Sequence, residues 1–277
     1  MSVPGEGASI MLDAMRAAGL APAKDLDLAS DGRLRRYKVD GDKAGSNNGW
    51  AVYFGNAGSF GSWRTGASHI WHEASTKPQT AAERAALQKQ LDAARAARKA
   101  EEVRVQAAAR VRGARLWAMA HPATNAHPYL QRKKIGAFGV RQLRDSLVVA
   151  ARDVDGQLHT LQFIGADGTK RFLTGGRVMG CYFSIGRPVD SLLVCEGLAT
   201  ASTLHQATGK AVAVAFNSGN LVAVAKALRG KFPRMRLVIC ADNDVETPGN
   251  PGVTHAWAAA RAVGGLVAFP QFQAVAT

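Results

Sequence analysis

Leu192-Leu193-Val194-Cys195-Glu196-Gly197 sets a carboxylate and a glycine directly behind a short apolar run. Residues 192–195 read as a short apolar strand followed by Gly197. The stretch that follows, residues 199–207, has helical character. Residues 211–216 are the next apolar strand, and Asn217-Ser218-Gly219-Asn220 turns the chain into a helix over residues 221–228. Residues 237–240 give a third strand, and Asp242-Asn243-Asp244 stands just behind it. A loop rich in Gly and Pro leads to a helix over residues 255–262 and a fourth strand over residues 266–269. Strands that alternate with helices imply a mostly parallel sheet with helices packed on its faces.

The acids now acquire a common address. Glu196 ends one strand, and Asp242 and Asp244 follow another, about 46 residues on. Ligands of open α/β sheets bind outside the carboxyl ends of the strands, so the three carboxylates are expected on one edge. Carboxylates held together repel unless a cation neutralises them. Hard oxygen donors suit Mg2+ or Mn2+, which keeps several waters and takes phosphate oxygens as further ligands. In an extended segment residues two apart point the same way, so Asp242 and Asp244 can share an ion. An acidic turn or a helix cap would use the same residue types. The pairing of both signals in one βαβα unit is more specific than either alone.

Upstream, residues 147–151 run to a turn at Asp155-Gly156, and residues 158–164 return. A second turn at Asp167-Gly168 leads to a strand at residues 171–173. Asp-Gly between alternating apolar runs is a strong hairpin signal. Before this, His127-Pro128-Tyr129-Leu130 opens a short helix followed by Arg132, Lys133 and Lys134, and His121-Pro122 closes a long helix over residues 78–120. Thr80 and Glu83 make a capping box at its start. Between Ala81 and Arg115 that helix carries nine Lys and Arg against four Asp and Glu, on a background of strong helix formers. It reads as a largely solvated link whose basic face serves either solvation or nucleic acid. Residues 8–19 read as a helix ending at Gly19. Arg35-Arg36-Tyr37-Lys38-Val39, Gly49-Trp50-Ala51-Val52-Tyr53-Phe54 and Ser59-Phe60-Gly61-Ser62-Trp63 read as short strands of a small antiparallel sheet. Their aromatics serve either a small core or the stacking of unpaired bases.

The expected architecture is therefore α/β, in four parts: an N-terminal β-rich module (1–77), a basic helical linker (78–122), a small mixed α/β basic subdomain (123–188) and the mostly parallel sheet flanked by helices (189–277). The whole chain of 277 residues carries 35 Lys and Arg against 21 Asp and Glu, a net charge of +14. Such a balance attracts polyanions. Cys181, Cys195 and Cys240 form no Cys-x-x-Cys pair and sit among apolar residues, so no zinc site is expected and reduced buried thiols are. No apolar run approaches the roughly 20 residues that span a bilayer, and no signal-peptide pattern opens the chain, which reads as cytoplasmic with no membrane partner. No Walker phosphate loop is present, so no helicase motor is encoded.

The residues at 192–197 and 238–244 resemble the signature of Toprim domains, found in primases, topoisomerases and some nucleases. The resemblance implies a catalytic or metal role for Glu196 and Mg2+ binding by Asp242 and Asp244. Ala150-Ala151-Arg152-Asp153-Val154-Asp155-Gly156, Thr169-Lys170-Arg171-Phe172-Leu173 and Gly180-Cys181-Tyr182-Phe183 resemble the basic subdomain that precedes Toprim in primases, and the N-terminal Gly49-Trp50 and Phe60-Gly61-Ser62-Trp63 more loosely resemble the front ends of plasmid-transfer and phage primases. By that resemblance Arg152, Lys170, Arg171 and Arg177 are candidates for triphosphate or template backbone. The turn residues Asn217 and Asn220 are weaker candidates, since backbone N–H groups opening a helix can receive phosphate and capping uses the same residues. Replicative primases place an acid four positions after the Glu; Thr200 stands there, which implies a smaller metal set. Primase–helicase relatives carry a motor, so the chain reads as a free-standing version or a fragment, and its end at 271–277 as lacking a family element.

The implied function is a Mg-dependent DNA primase that joins nucleoside triphosphates into short primers on single-stranded DNA, with a separate replicative helicase as a further partner. The rivals are a Toprim nuclease with water as attacker and a non-catalytic single-stranded DNA-binding accessory protein. A topoisomerase needs a strand-attacking tyrosine, and Tyr37, Tyr53, Tyr129 and Tyr182 sit in no such module.

Overall fold

The structure, a computed structural model, describes residues 6–73, 80–243, 247 and 249–270. Its chain divides into two units, Met1–Arg104 and Val105–Thr277, and the division falls inside one long helix.

In the first unit, helix α1 (Glu6–Ala17) precedes a four-stranded antiparallel sheet of β1 (Arg35–Tyr37), β2 (Gly49–Tyr53), β3 (Ala57–Ser62) and β4 (Ser68–His72), in that spatial order. Met11 and Met15 of α1 pack with Tyr37, Ala51, Tyr53, Phe60 and Trp71 on one face of the sheet. Tyr37, Trp50, Tyr53 and Phe60 are thus core residues, whereas Phe54 and Trp63 are half-buried. The opposite face meets the first half of α2 (Ala81–Met119), where Arg98 stacks over Trp50 and donates to Ser68 Oγ. The capping box forms as read, with Glu83 N donating to Thr80 Oγ1 and Thr80 N to Glu83 Oε2. The helix is less solvated than its composition suggests. Ala94 and Ala109 are buried, small side chains letting the helix approach its sheets closely.

In the second unit the last turns of α2 lie on an antiparallel sheet of β5 (His121–Pro122), β6 (Arg141–Leu143), β7 (Ser146–Arg152), β8 (Leu158–Ile164) and β9 (Lys170–Phe172). Leu116 and Trp117 cover Val148, Ala150 and Leu161 there. Short helix α3 (Pro128–Lys133) is capped by the His127 ring, which accepts from Tyr129 N. Its residues Tyr129 and Leu130 join Leu147, Val149 and Ile164 on the other face of this sheet.

That second face packs on the C-terminal sheet, whose order is β10 (Phe183–Ile185), β12 (Ala211–Val214), β11 (Ser191–Cys195), β13 (Arg236–Cys240) and β14 (Leu266–Ala268). β11 to β14 are parallel, and β10 pairs antiparallel with β12. Strand alternation sorts the side chains. Leu193 and Cys195 face α4 (Leu198–Thr208) and the small subdomain, whereas Leu192 and Val194 face α5 (Leu221–Lys231) and α6 (Pro251–Val263). The chain winds from β11 outward to β12 in one direction and to β13 and β14 in the other. The order reverses between β11 and β13, which is where an open α/β sheet offers a crevice at its carboxyl edge.

Candidate metal and nucleotide site

β11 and β13 are neighbours in register, Cys195 opposite Cys240. Each strand ends with that pair, so the next residues, Glu196 and then Asp242 beside Gly197, leave the sheet together at the crevice. The Cys195 thiol senses both acids. Burial first, then Cys240, then the charges of Asp242 and Glu196 push its pKa well above the ordinary thiol value. It stays a neutral packing group, as do Cys181 and Cys240, each pushed up to about 11 mainly by burial.

Two neighbours set the geometry around the acids. Thr200, one turn into α4, donates from Oγ1 to Asp242 Oδ1 at 3.1 Å. Asn243 anchors the loop behind Asp242: its Nδ2 donates to Pro270 O and its Oδ1 accepts from Asn250 Nδ2, each at 2.8 Å. The middle residue of the Asp-Asn-Asp run thus holds the loop against the N-terminus of α6 and the end of β14. Asp244 lies outside the described residues, and among those no three of His, Cys, Asp and Glu gather into a cluster. The donors that are present, two carboxylates and a hydroxyl, are hard oxygens. They fit a divalent cation that retains waters and takes its remaining ligands from phosphate.

The cations sort by strand face. Lys170 pairs with Ile164 and Phe172 with Gln162, so both point toward the C-terminal sheet. Lys170 comes to the same edge: its Nζ lies 3.9 Å from where a Cβ on Gly197, the residue after Glu196, would stand. Arg171, between them, points the other way and stacks over Phe163. Arg152 also lies on that α2 side, 5.7 Å from the Trp117 ring, donating from Nη1 to Gly156 O. Arg177 joins an ion cluster: its Nη2 lies 3.3 Å from Asp153 Oδ2, the same oxygen that meets His159 Nε2 at 2.6 Å. The structure therefore sets Glu196, Asp242 and Lys170 at one edge of the C-terminal sheet, and it directs Arg152 and Arg171 to the opposite face of the small sheet.

The turn asparagines differ. Asn217 is exposed, and its Oδ1 accepts from Asn220 N at 3.0 Å. Asn220 is buried, and its amide is committed. Nδ2 donates to the carbonyls of Val178, Cys181 and Ala215, and Oδ1 accepts from Gly180 N. That side chain is a clamp between the loop before β10 and the end of β12, with no capacity left for a ligand.

Sequence reasoning passed over three features here. Thr200 entered only as the place of a missing acid, Asn243 as a spacer, and Phe216 as the end of a strand. Charge is also unevenly placed. Residues 1–104 hold 15 Lys and Arg against 12 Asp and Glu, and residues 105–277 hold 20 against 9. The attraction for polyanions belongs to the unit that carries the acids.

Residues 191–268 match the Toprim domain family, so the resemblance of this stretch to a Toprim domain holds. Two proteins of Escherichia coli, both described as DNA primase TraC, are similar over most of this chain. One is 38% identical over 259 residues, 87% of this chain, and the other 37% over 280 residues, 94% of it. The chain spans 24% and 19% of the lengths of these relatives. Among solved structures, the primase fragment of the bacteriophage T7 primase-helicase protein aligns with a TM-score of 0.41 at 12% identity, covering 55% of this chain and 66% of that one. A DNA primase domain from Pseudomonas aeruginosa aligns with a TM-score of 0.33 at 19% identity, covering 47% and 44%.

Proposed function

We propose that this chain is the catalytic part of a DNA primase: it joins nucleoside triphosphates into short primers on single-stranded DNA. The observation that supports the reading is that Glu196 and Asp242 follow the ends of adjacent parallel strands, with the ammonium of Lys170 beside Gly197. Carboxylates alone would repel a triphosphate. Carboxylates beside a lysine suit a metal-bound one.

Glu196 and Asp242, with Asp244 from the same loop, would hold Mg2+ or Mn2+. When bound, such an ion supplies Lewis acidity to the attacking 3′-hydroxyl and charge neutralisation to the pyrophosphate leaving group. The remaining work falls to the chain. Thr200 fixes one oxygen of Asp242, leaving the other to face the ligand. Lys170 offers a compact charge to triphosphate oxygens. Asn217, exposed at the turn that opens α5, is available to phosphate. Arg152, Arg171 and Arg177 serve the template backbone, where fork-shaped donors suit phosphate. Single-stranded DNA and nucleoside triphosphates are the partners, and a separate replicative helicase would open the duplex. Among the described residues no helix is long and apolar enough to cross a membrane, and the cytoplasm is the proposed location.

The test is primer synthesis on unprimed single-stranded DNA with labelled nucleoside triphosphates and Mg2+, comparing wild type with Asp242→Ala. Short products from the wild type alone are expected. Template cutting without synthesis would make the chain a nuclease, and bound but unaltered template an accessory binding protein.

A further inference from the structure

The carboxyl edge of the C-terminal sheet also carries an aromatic pair. Ala215 N donates to Cys195 O, extending the pairing of β12 with β11 beyond Val214. Continued past Val214, that register sets Phe216 beside Gly197, on the side opposite to Asp242. Across this edge the order is thus Phe216, Gly197, Asp242. Phe216 is a bulky residue at φ 72, in the left-handed region that costs such side chains of order 1 kcal/mol. A phenylalanine is held there although glycine or asparagine would relieve the strain.

The ring meets Phe172 edge to face, centroids 5.5 Å apart with the planes at 76°. Phe172 stands two residues beyond Lys170 on the same face of β9, so lysine and phenylalanine point together at the crevice. Both phenylalanines are only half-buried. The cluster therefore reads, along the edge, as carboxylate, ammonium and open aromatic surface. A nucleoside triphosphate presents the complementary order of metal-bound phosphate, phosphate oxygens and a flat base.

We infer that Phe216 and Phe172 form the base-stacking wall of the nucleotide subsite. This rests on the reading of the edge as a nucleotidyltransfer site, and it adds the surface that receives the base. Stacking is tolerant of base identity, because every base has a π face, so the wall supplies affinity and orientation and leaves sequence to the template.

The test is calorimetric binding to the full chain in Mg2+, with ATP and inorganic tripolyphosphate as separate probes. Wild type binds ATP roughly tenfold more tightly than tripolyphosphate, the size of one base–aromatic stack. Phe216→Leu and Phe172→Leu each abolish most of that preference while leaving tripolyphosphate affinity unchanged, and Phe216→Tyr preserves it. Leucine keeps the apolar packing, and Phe172→Leu, altering the other partner, carries the test should the Phe216 variant misfold. Equal wild-type affinity for the two probes, binding of neither, or a parallel loss of both in the leucine variants overturns the wall. Primer synthesis is scored separately: a protein that prefers ATP through these rings yet makes no primer refutes the primase reading and leaves the wall standing.

Discussion

Thr200 Oγ1 donates a 3.1 Å hydrogen bond to Asp242 Oδ1, tying the first turn of α4 to the acid that follows β13. The bond restrains the carboxylate's rotation and occupies one of its two oxygens. Removing such an outer partner of a metal ligand costs about 10–100-fold in metal affinity or activity. Thr200→Val keeps the shape and deletes the donor. It is expected to shift the Mg2+ titration of primer synthesis upward by at least tenfold, with unchanged thermal stability and with activity recovered at high Mg2+. A loss that Mg2+ does not restore would rule out this role.

Lys170 and Arg171 are adjacent, both exposed and both basic, yet they point to opposite faces of β9. Hydrogen bonds to charged groups contribute about 1.5–3 kcal/mol, so losing Lys170 is expected to raise the nucleotide KM about 10–100-fold. Arg171→Ala is expected to leave nucleotide KM within twofold and to weaken template binding, with a shallower salt dependence. Steady-state kinetics against nucleotide, beside template binding at two salt concentrations, separates the two. Equal effects on KM would mean that strand alternation does not govern this edge.

That contrast marks how far the sequence could be read. The apolar runs before Glu196 and Asp242, the two Asp-Gly turns and the Thr80–Glu83 box all carry local signals, and each forms as expected. β4, β6 and β10 went unread, since strands of three to five residues with mixed polarity show no usable period. The division between Lys170 and Arg171 is a different matter. Their alternation was implicit in the strand, but which face meets the acids depends on how two sheets pack. Phe172 and Phe216 pair across 44 positions for the same reason, and no local pattern announces them.

Asn220 illustrates a polar residue whose value is structural. Replacing it with leucine strands three carbonyls and the Gly180 N–H around a buried site. An unsatisfied buried polar group costs about 1–3 kcal/mol, and neighbouring losses are not additive. About 3 kcal/mol is expected in total, a fall in Tm of roughly 6–12 °C for a unit of this size. Scanning calorimetry checks it. An Asn220→Leu variant of native stability that binds nucleotide weakly would return this side chain to the ligand set.

The Asp153 cluster should be felt in acid. Burial works to raise the Asp153 pKa, but the hydrogen bond with His159 and those from the backbone of Gln157 and Asp155 win, and it is held below the usual carboxylate value. A depressed folded pKa stabilises the fold above the unfolded value of about 3.9, and that stability is lost as the pH falls through the folded value. Asp153→Asn is therefore expected to melt earlier than wild type at pH 7, and the gap should close below about pH 4. Melting curves from pH 7 to pH 3 test the sign; a gap that widens in acid would contradict it.

Two glycines give opposite expectations for the same substitution. At Gly113, inside α2, an added Cβ would meet Leu173, Leu158 and Leu161 side chains at 3.5–3.9 Å, which is ordinary contact. Alanine there gains helix propensity and fills space, so Gly113→Ala is expected to stabilise by about 1 kcal/mol. At Gly61, in β3, the Cβ would collide with the Ala67 carbonyl and with the Trp50 ring on the neighbouring strand. A backbone oxygen that already accepts from Ser62 N cannot yield as a side chain can, and Trp50 is itself held beneath Arg98. Gly61→Ala is expected to destabilise by about 2–3 kcal/mol through displacement of that ring. Denaturant unfolding followed by tryptophan fluorescence reports both the midpoint and the Trp50 environment. A neutral Gly61→Ala would show that the sheet can shift to admit a methyl group.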